Sequence, residues 1–342
     1  MNSFTFAGIN VQDNSKIYSS ISVMNELDGS PVQIPVVIIQ GSKTGPCAWV
    51  LAGIDGDEIE SIIAAQKVVT EINPEDVKGT IVVILAANPL AVKNVSRISP
   101  IDGKCLNEVF PGNQEGTYTE RVADLLFTNM TKIMQEEDIV LSLHGGGKFV
   151  RAAGLIEIHG TGDKIEERSM ELAMMACNPD LSIIVRIEER TGTWVELYKG
   201  NLTRELYKSM SVAPLTIEAG GLGLMDERDI RGTFYAIMNV LRGVGMVNGQ
   251  PKAPFNDVVI TKENTRVFPK SRGFWLPNVK AGDQILKDTL IASVVDIYGK
   301  AQEELRAPYD GIVLYMRGYG VVDPLSSKLQ DIYGSNIGKI FS

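Results

Sequence analysis

The sequence predicts an α/β fold: a mixed, largely parallel sheet with helices on both faces, followed by a small C-terminal all-β domain. Three observations lead there. Short β-branched and aliphatic runs are apolar on both faces; they alternate with segments whose apolar residues recur at helical spacing; and the helical patterns stop near residue 248. Strands buried on both faces and separated by helices belong to a sheet covered on both sides.

The elements follow in order. Residues 1–30 form an N-terminal β extension. CAWVLAGI (47–54) reads as a strand. In the next segment, 58–72, Ile59, Ile62, Ile63, Val69 and Ile72 fall on one helical face. TIVVILAA (80–87) is a second buried strand. Residues 119–135 place Val122, Leu125, Leu126, Met130 and Ile133 along one helix stripe. DIVLSLHG (138–145), GLIEIHG (154–160), SIIVRIE (182–188) and APLTIEAG (213–220) are further strands, and a helix over about 229–243 closes an α/β domain spanning 1–248. The composition changes at GQPKAPFND (249–257), and short strand-like pieces punctuated by Gly, Pro and Asp make 249–342 a small β-domain.

The bulk composition narrows the function classes. The 342 residues carry a formal net charge of -9, with 44% hydrophobic and 22% charged residues. An acidic chain without a dense basic run disfavours nucleic acid and anionic membranes as partners and favours a small-molecule substrate. Cys47, Cys105 and Cys177 form no CxxC pair and no disulfide framework, which suits a reducing compartment. The first residues lack a basic start followed by an apolar run, and no apolar stretch reaches the roughly 20 residues that span a bilayer. The expected location is the cytoplasm.

In open α/β sheets, ligands bind beyond the carboxyl ends of the parallel strands. Those ends carry Asp55-Gly56-Asp57-Glu58, Asn88-Pro89, His144 followed by three glycines, and Glu218-Ala219-Gly220-Gly221. Asp55 and Glu58 stand three apart across a strand-to-helix turn. Two carboxylates so placed repel unless a cation lies between them; the competing explanation is a helix cap, Asp55 at the N-cap with Glu58 as its capping-box partner. With His144 on a neighbouring strand they make a three-ligand set that leaves room for water, the pattern of a catalytic rather than a closed structural metal site. A carboxylate at Glu218 could take a proton from attacking water and return it to a leaving amine. His159, which also ends a strand, is a secondary ligand candidate, ranked lower because Glu157 and Ile158 before it read as ordinary alternation.

These motifs resemble, in order, those of the succinylglutamate desuccinylase/aspartoacylase family, relatives of the zinc carboxypeptidases. The family's turn G-x-H-G-[DN]-E, its N-P-x-A, its R-x-x-P-x-D-G-x-D-L-N-R-x-F-P-G, its strand-ending D-x-H and its E-x-G-G meet GIDGDE (53–58), NPLA (88–91), RISPIDGKCLNEVFPG (97–112), LSLHGGG (141–147) and IEAGG (217–221). AGDQILKDTLIASVVDIYG and APYDGIV resemble its small β-domain. The resemblance implies a zinc-carboxypeptidase-like fold and hydrolysis of N-acyl amino acids, with oligomers common among members. It places Asp55, Glu58 and His144 at the metal, Glu218 and Arg97 in catalysis, and Arg97, Asn107, Glu108 and Asn88 around the substrate.

Three departures bear on that expectation. The first metal ligand, normally His, is Asp55, which shifts preference from zinc toward manganese or iron. The Arg after Leu-Asn is Glu108, which repels a substrate carboxylate and attracts an amine or guanidinium. The Asp before Leu-Asn is Cys105, a weaker hydrogen-bonding group. The sequence thus predicts a metal-dependent deacylase whose substrate carries a cationic group. A non-catalytic binding protein or a lyase on the same platform are the alternatives, and a peptide-cleaving carboxypeptidase ranks below them.

Overall fold

Alternation along the strands sorts most apolar residues of the α/β part into two large cores. The computed structural model describes residues 3–188, 199–251, 256–325 and 335–340. A hairpin of β1 (Ser3–Phe6) and β2 (Ile9–Gln12) precedes β3 (Ser15–Asn25) and β4 (Pro31–Gln40). Then β5 (Lys43–Leu51) leads into α1 (Ile59–Glu71), β6 (Lys78–Ile84) into the short α2 (Pro89–Lys93), and α3 (Tyr118–Thr131) into β7 (Ile139–His144). The α/β part closes with β8 (Val150–Gly160), α4 (Lys164–Ala176), β9 (Ile183–Glu188), α5 (Leu202–Met210), β10 (Ala213–Gly221) and α6 (Glu227–Gly243).

In β5, Ala48 and Val50 join the core under α1, α4 and α6, whereas Cys47, Trp49 and Leu51 join the core under α3 and α5. Helices therefore cover both faces. Four adjacent strands, in the order β10, β7, β5, β6, run parallel. On one side, β4 and β3 continue the sheet antiparallel. On the other, β8 runs antiparallel to β10 and parallel to β9. The α/β expectation holds, and the strands that were expected to deliver the site residues are the four parallel ones.

After residue 256 come β11 (Val259–Val267), β12 (Gly273–Pro277), β13 (Gln284–Ile285), β14 (Leu290–Val295), β15 (Ala301–Arg306), β16 (Gly311–Arg317), β17 (Val321–Val322) and β18 (Ser335–Ile340). Strands β12, β14, β15 and β17 form a four-stranded sheet around Trp275, Ile291 and Val294. The others extend the large sheet, and β16 also pairs with β8. Among the described residues, α2, α4 and α5 have no counterpart in the sequence-based expectation; α2 has only five residues. The buried face of α4 is Ser169, Leu172, Ala173 and Ala176, too small and mixed for a strong apolar stripe, and α5 has only nine residues. No helix among the described residues is long and apolar enough to cross a membrane.

Leu141 lies fully buried at the centre of β7. Leu141→Ala is expected to lower unfolding free energy by about 2–5 kcal/mol in chemical denaturation. A loss below about 1 kcal/mol would contradict close packing of this layer.

Candidate metal centre and active site

The turn after β5 is folded tightly onto α2. A Cβ on Gly56 would stand 2.2 Å from the backbone carbon of Ala91, so only glycine lets the turn lie there. α1 begins at Ile59, and Glu58, at its N-cap position, makes no side-chain capping bond. The helix-cap explanation of Asp55 and Glu58 therefore fails. Both side chains turn instead toward β7, which ends on His144.

The three groups meet in a buried cluster. His144 Nδ1 lies 3.0 Å from Glu58 Oε2 and 3.4 Å from Asp55 Oδ2. All three residues are at most 3% exposed. On the far side of the imidazole, Nε2 lies 3.0 Å from Ser142 Oγ. Ser142 stands two residues earlier on the same strand face and so shares the ring's side of the sheet.

Charge is concentrated here. Burial, and after it the Asp55 carboxylate, push the Glu58 carboxyl up to about 8. Burial opposes charging of His144, but Glu58 and Asp55 outweigh it and hold the imidazole well above its ordinary value. Asp55 ends lower than a usual carboxyl, because Arg97 and His144 overcome the effect of burial. One ligand atom from each of Asp55, Glu58 and His144 lies within 4.8 Å of the others, so the three could hold one metal ion. The donor set fits one. In the unloaded cluster a proton on Nδ1 meets the two carboxylates; once it leaves, with Ser142 accepting from Nε2–H, the Nδ1 lone pair would join those carboxylates as a donor to a cation. Asp55 Oδ2 is buried and takes no aligned hydrogen bond.

Glu218 is the register partner of His144 on β10. Its Oε2 is shielded from solvent and takes no hydrogen bond. Burial raises its carboxyl well above the usual range; Glu58 and Glu157 push it further up, against His144 and Arg97. Arg97 reaches in from the other side, Nη1 at 2.9 Å from Asp55 Oδ2 and 3.7 Å from Glu58 Oε1. The Cys105 thiol donates to Asp55 Oδ1 at 3.3 Å. Burial, and then Asp55, raise that thiol well above its ordinary value, so it stays protonated.

These groups open onto a cavity of about 920 Å³. Asn107 and Glu108 line it; Asn107 Oδ1 accepts from Leu202 N at 3.2 Å, and Glu108 is exposed. Asn88 does not reach the cavity. It is fully buried at the start of α2, where its Oδ1 accepts from Ala91 N at 3.4 Å. His159 stands apart from the cluster because β8 runs antiparallel to β10, which carries it toward the opposite end of that strand from Glu218. Its Nε2 lies 2.9 Å from Thr203 Oγ1, and its ring centre lies 4.8 Å from that of Tyr207, tilted by 39°.

Ser142, beside His144, and the cavity residues Asp57, Glu157 and Tyr315 were not singled out from the sequence. Ser142 was legible through its period-2 spacing to His144. Asp57, the third residue of the turn, accepts from Lys148 N at 3.0 Å and so holds the glycine loop after His144. Those glycines serve backbone packing as well as ligand approach, since a Cβ on Gly146 would stand 2.0 Å from Val150 O. Glu157 is 5% exposed and accepts from Tyr315 Oη at 2.9 Å. Nothing local marks that pair, because β8 and β16 meet only through the sheet.

A family model for the succinylglutamate desuccinylase/aspartoacylase catalytic domain matches residues 44–244. A relative from Halomonas elongata, named N-alpha-acetyl-L-2,4-diaminobutyric acid deacetylase, is 28% identical over 291 residues, covering 84% of this chain and 81% of its own. Among solved structures, a succinylglutamate desuccinylase from Silicibacter sp. shares the fold with a TM-score of 0.82 at 22% identity over 96% of each chain. The product-bound ectoine utilization protein EutE from Ruegeria pomeroyi does so with a TM-score of 0.81 at 22% identity, again over 96% of each chain. The chain belongs to the succinylglutamate desuccinylase/aspartoacylase family.

The protons held on Glu58 and His144 in the unloaded cluster must leave when a divalent cation binds. Cation affinity is therefore expected to fall as pH drops below about 8, with proton release on binding. Titration calorimetry with zinc in buffers of different ionisation enthalpy reads both. An affinity flat from about pH 6 to about pH 8 would contradict this arrangement.

Proposed function

We propose that this member of the family is a metal-dependent deacylase that hydrolyses the amide of an N-acyl amine or N-acyl amino acid carrying a second, cationic group. The observation that supports this most directly is the pairing of Glu218 with His144 on adjacent parallel strands, with Glu218 Oε2 buried and unengaged beside the three-ligand cluster.

When bound by Asp55, Glu58 and His144, a divalent ion supplies Lewis acidity to the acyl carbonyl and the attacking water. Zinc is the family's metal; the two carboxylates of this donor set also suit manganese or iron. Glu218 accepts a proton from the water as its oxygen adds to the carbonyl carbon. The raised affinity of this buried carboxyl for a proton then suits it to protonate the leaving nitrogen as the C–N bond breaks, giving a carboxylic acid and an amine. Arg97 stands beside the cluster, where its guanidinium stabilises the developing oxyanion. Asn107 and Glu108 contact the substrate from the cavity wall, and the Glu108 carboxylate attracts its ammonium or guanidinium. The substrate named for the Halomonas relative carries a free amino group beside the acylated one, which is this chemistry. Three buried free cysteines accord with a reducing, cytoplasmic setting.

Glu218→Gln is expected to lower kcat about 10²- to 10⁴-fold while leaving metal content intact, read by product assay and elemental analysis. Loss of the metal with activity unchanged would contradict the assignment. Among acylated diamines, basic amino acids and dicarboxylic amino acids, the wild type should favour the cationic set, and Glu108→Arg should move preference toward the dicarboxylic set. A wild type that prefers N-acyl aspartate or glutamate would overturn the role of Glu108. Protein free of any divalent metal, with no chelator-sensitive amide cleavage, would favour a binding protein instead.

A further inference from the structure

Two of the departures from the family pattern meet in space. Cys105 Sγ lies 3.3 Å from Asp55 Oδ1, while Arg97 Nη1 and His144 Nδ1 approach Oδ2 at 2.9 and 3.4 Å. We infer that Cys105 is the positioning residue for Asp55: its S–H holds Oδ1, so that the carboxylate turns Oδ2 alone toward the cation. This rests on the reading of Asp55, Glu58 and His144 as metal ligands.

The backbone fixes the thiol in place. Ile98 and Cys105 bridge each other across a tight loop, in which Ser99 N donates to Lys104 O at 2.9 Å and Gly103 N to Ser99 O at 3.0 Å. Asp102, at the tip, accepts from Thr119 N at 2.8 Å and Thr119 Oγ1 at 2.7 Å, tying the loop to α3. Cys105 is 4% exposed and Asp55 1%, so water does not reach them freely. A thiol is a weak donor, yet a buried carboxylate oxygen left without one carries a desolvation cost. With Oδ1 engaged, Asp55 would offer a metal ion Oδ2 alone.

Polarity links the two positions. An acceptor at 55 requires a donor at 105. A carboxylate at 105 would face the Asp55 carboxylate at contact distance, with no proton between them. A ligating imidazole at 55 reverses the requirement, because its outer N–H seeks an acceptor. The residue at 105 must therefore complement the polarity of the residue at 55. A cysteine that served only as a small buried hydrophobe would show no such dependence on residue 55.

The test is a double-mutant cycle on the full chain, read by zinc titration calorimetry and by the visible spectrum of the cobalt(II) form. C105A should weaken cation affinity about 10- to 100-fold and alter the cobalt spectrum, while C105S restores both toward the parent. C105D should weaken binding in the parent and strengthen it in D55H. If C105A fails to fold, the D55H against D55H/C105D comparison still decides. A C105D effect equal in both backgrounds, or a C105A protein with the parent's affinity and spectrum, would overturn the inference while leaving the metal site standing. Absence of divalent-ion binding by the parent itself would overturn both.

Discussion

Burial of two carboxylates and an imidazole at neighbouring strand ends is the constraint from which the rest of this molecule follows. Asp55, Glu58 and His144 are almost wholly removed from water and crowd within 4.8 Å. Like charges in a low-dielectric site are costly unless an opposite charge stands among them. The surrounding structure serves that arrangement. Parallel pairing aligns β5, β7 and β10 so that their ends converge. Gly56 lets the turn close on α2, Ser142 takes the outer imidazole nitrogen, and Arg97 and Cys105 engage Asp55 from one tight loop.

Much of this was legible in the sequence because the site is built at strand ends, where period and punctuation are strongest. Asp55, His144 and Glu218 follow or close apolar runs, Glu58 comes three residues after Asp55, each of the four lies within two residues of a glycine, and all four line the same cavity. What was not legible depends on partners distant in sequence. Glu157 read as routine alternation, yet it faces the cavity because β8 lies beside β10, and Tyr315 reaches it from β16. Asn88 ends a strand in the expected way, but the chain turns at once into α2 and uses its side chain as a cap. His159 ends a strand too, but one that runs the other way. A rule based on strand ends holds only when strand direction is known.

The cavity combines contributions from both ends of the chain. Its floor belongs to the parallel strands, while Arg266 and Tyr315 come from strands after residue 256. Acidic side chains outnumber basic ones along its wall. Glu108 offers a carboxylate on the cavity wall, while Asp55 pairs with Cys105 beside Glu58 and His144.

The most direct test of the central claim is a crystal structure of protein loaded with zinc or manganese, with anomalous diffraction collected at that metal's edge. The account predicts a single anomalous peak within coordinating distance of Asp55 Oδ2, Glu58 and His144 Nδ1, on the side of the cluster facing Glu218. A peak elsewhere, or none in protein that elemental analysis shows to be loaded, would contradict it.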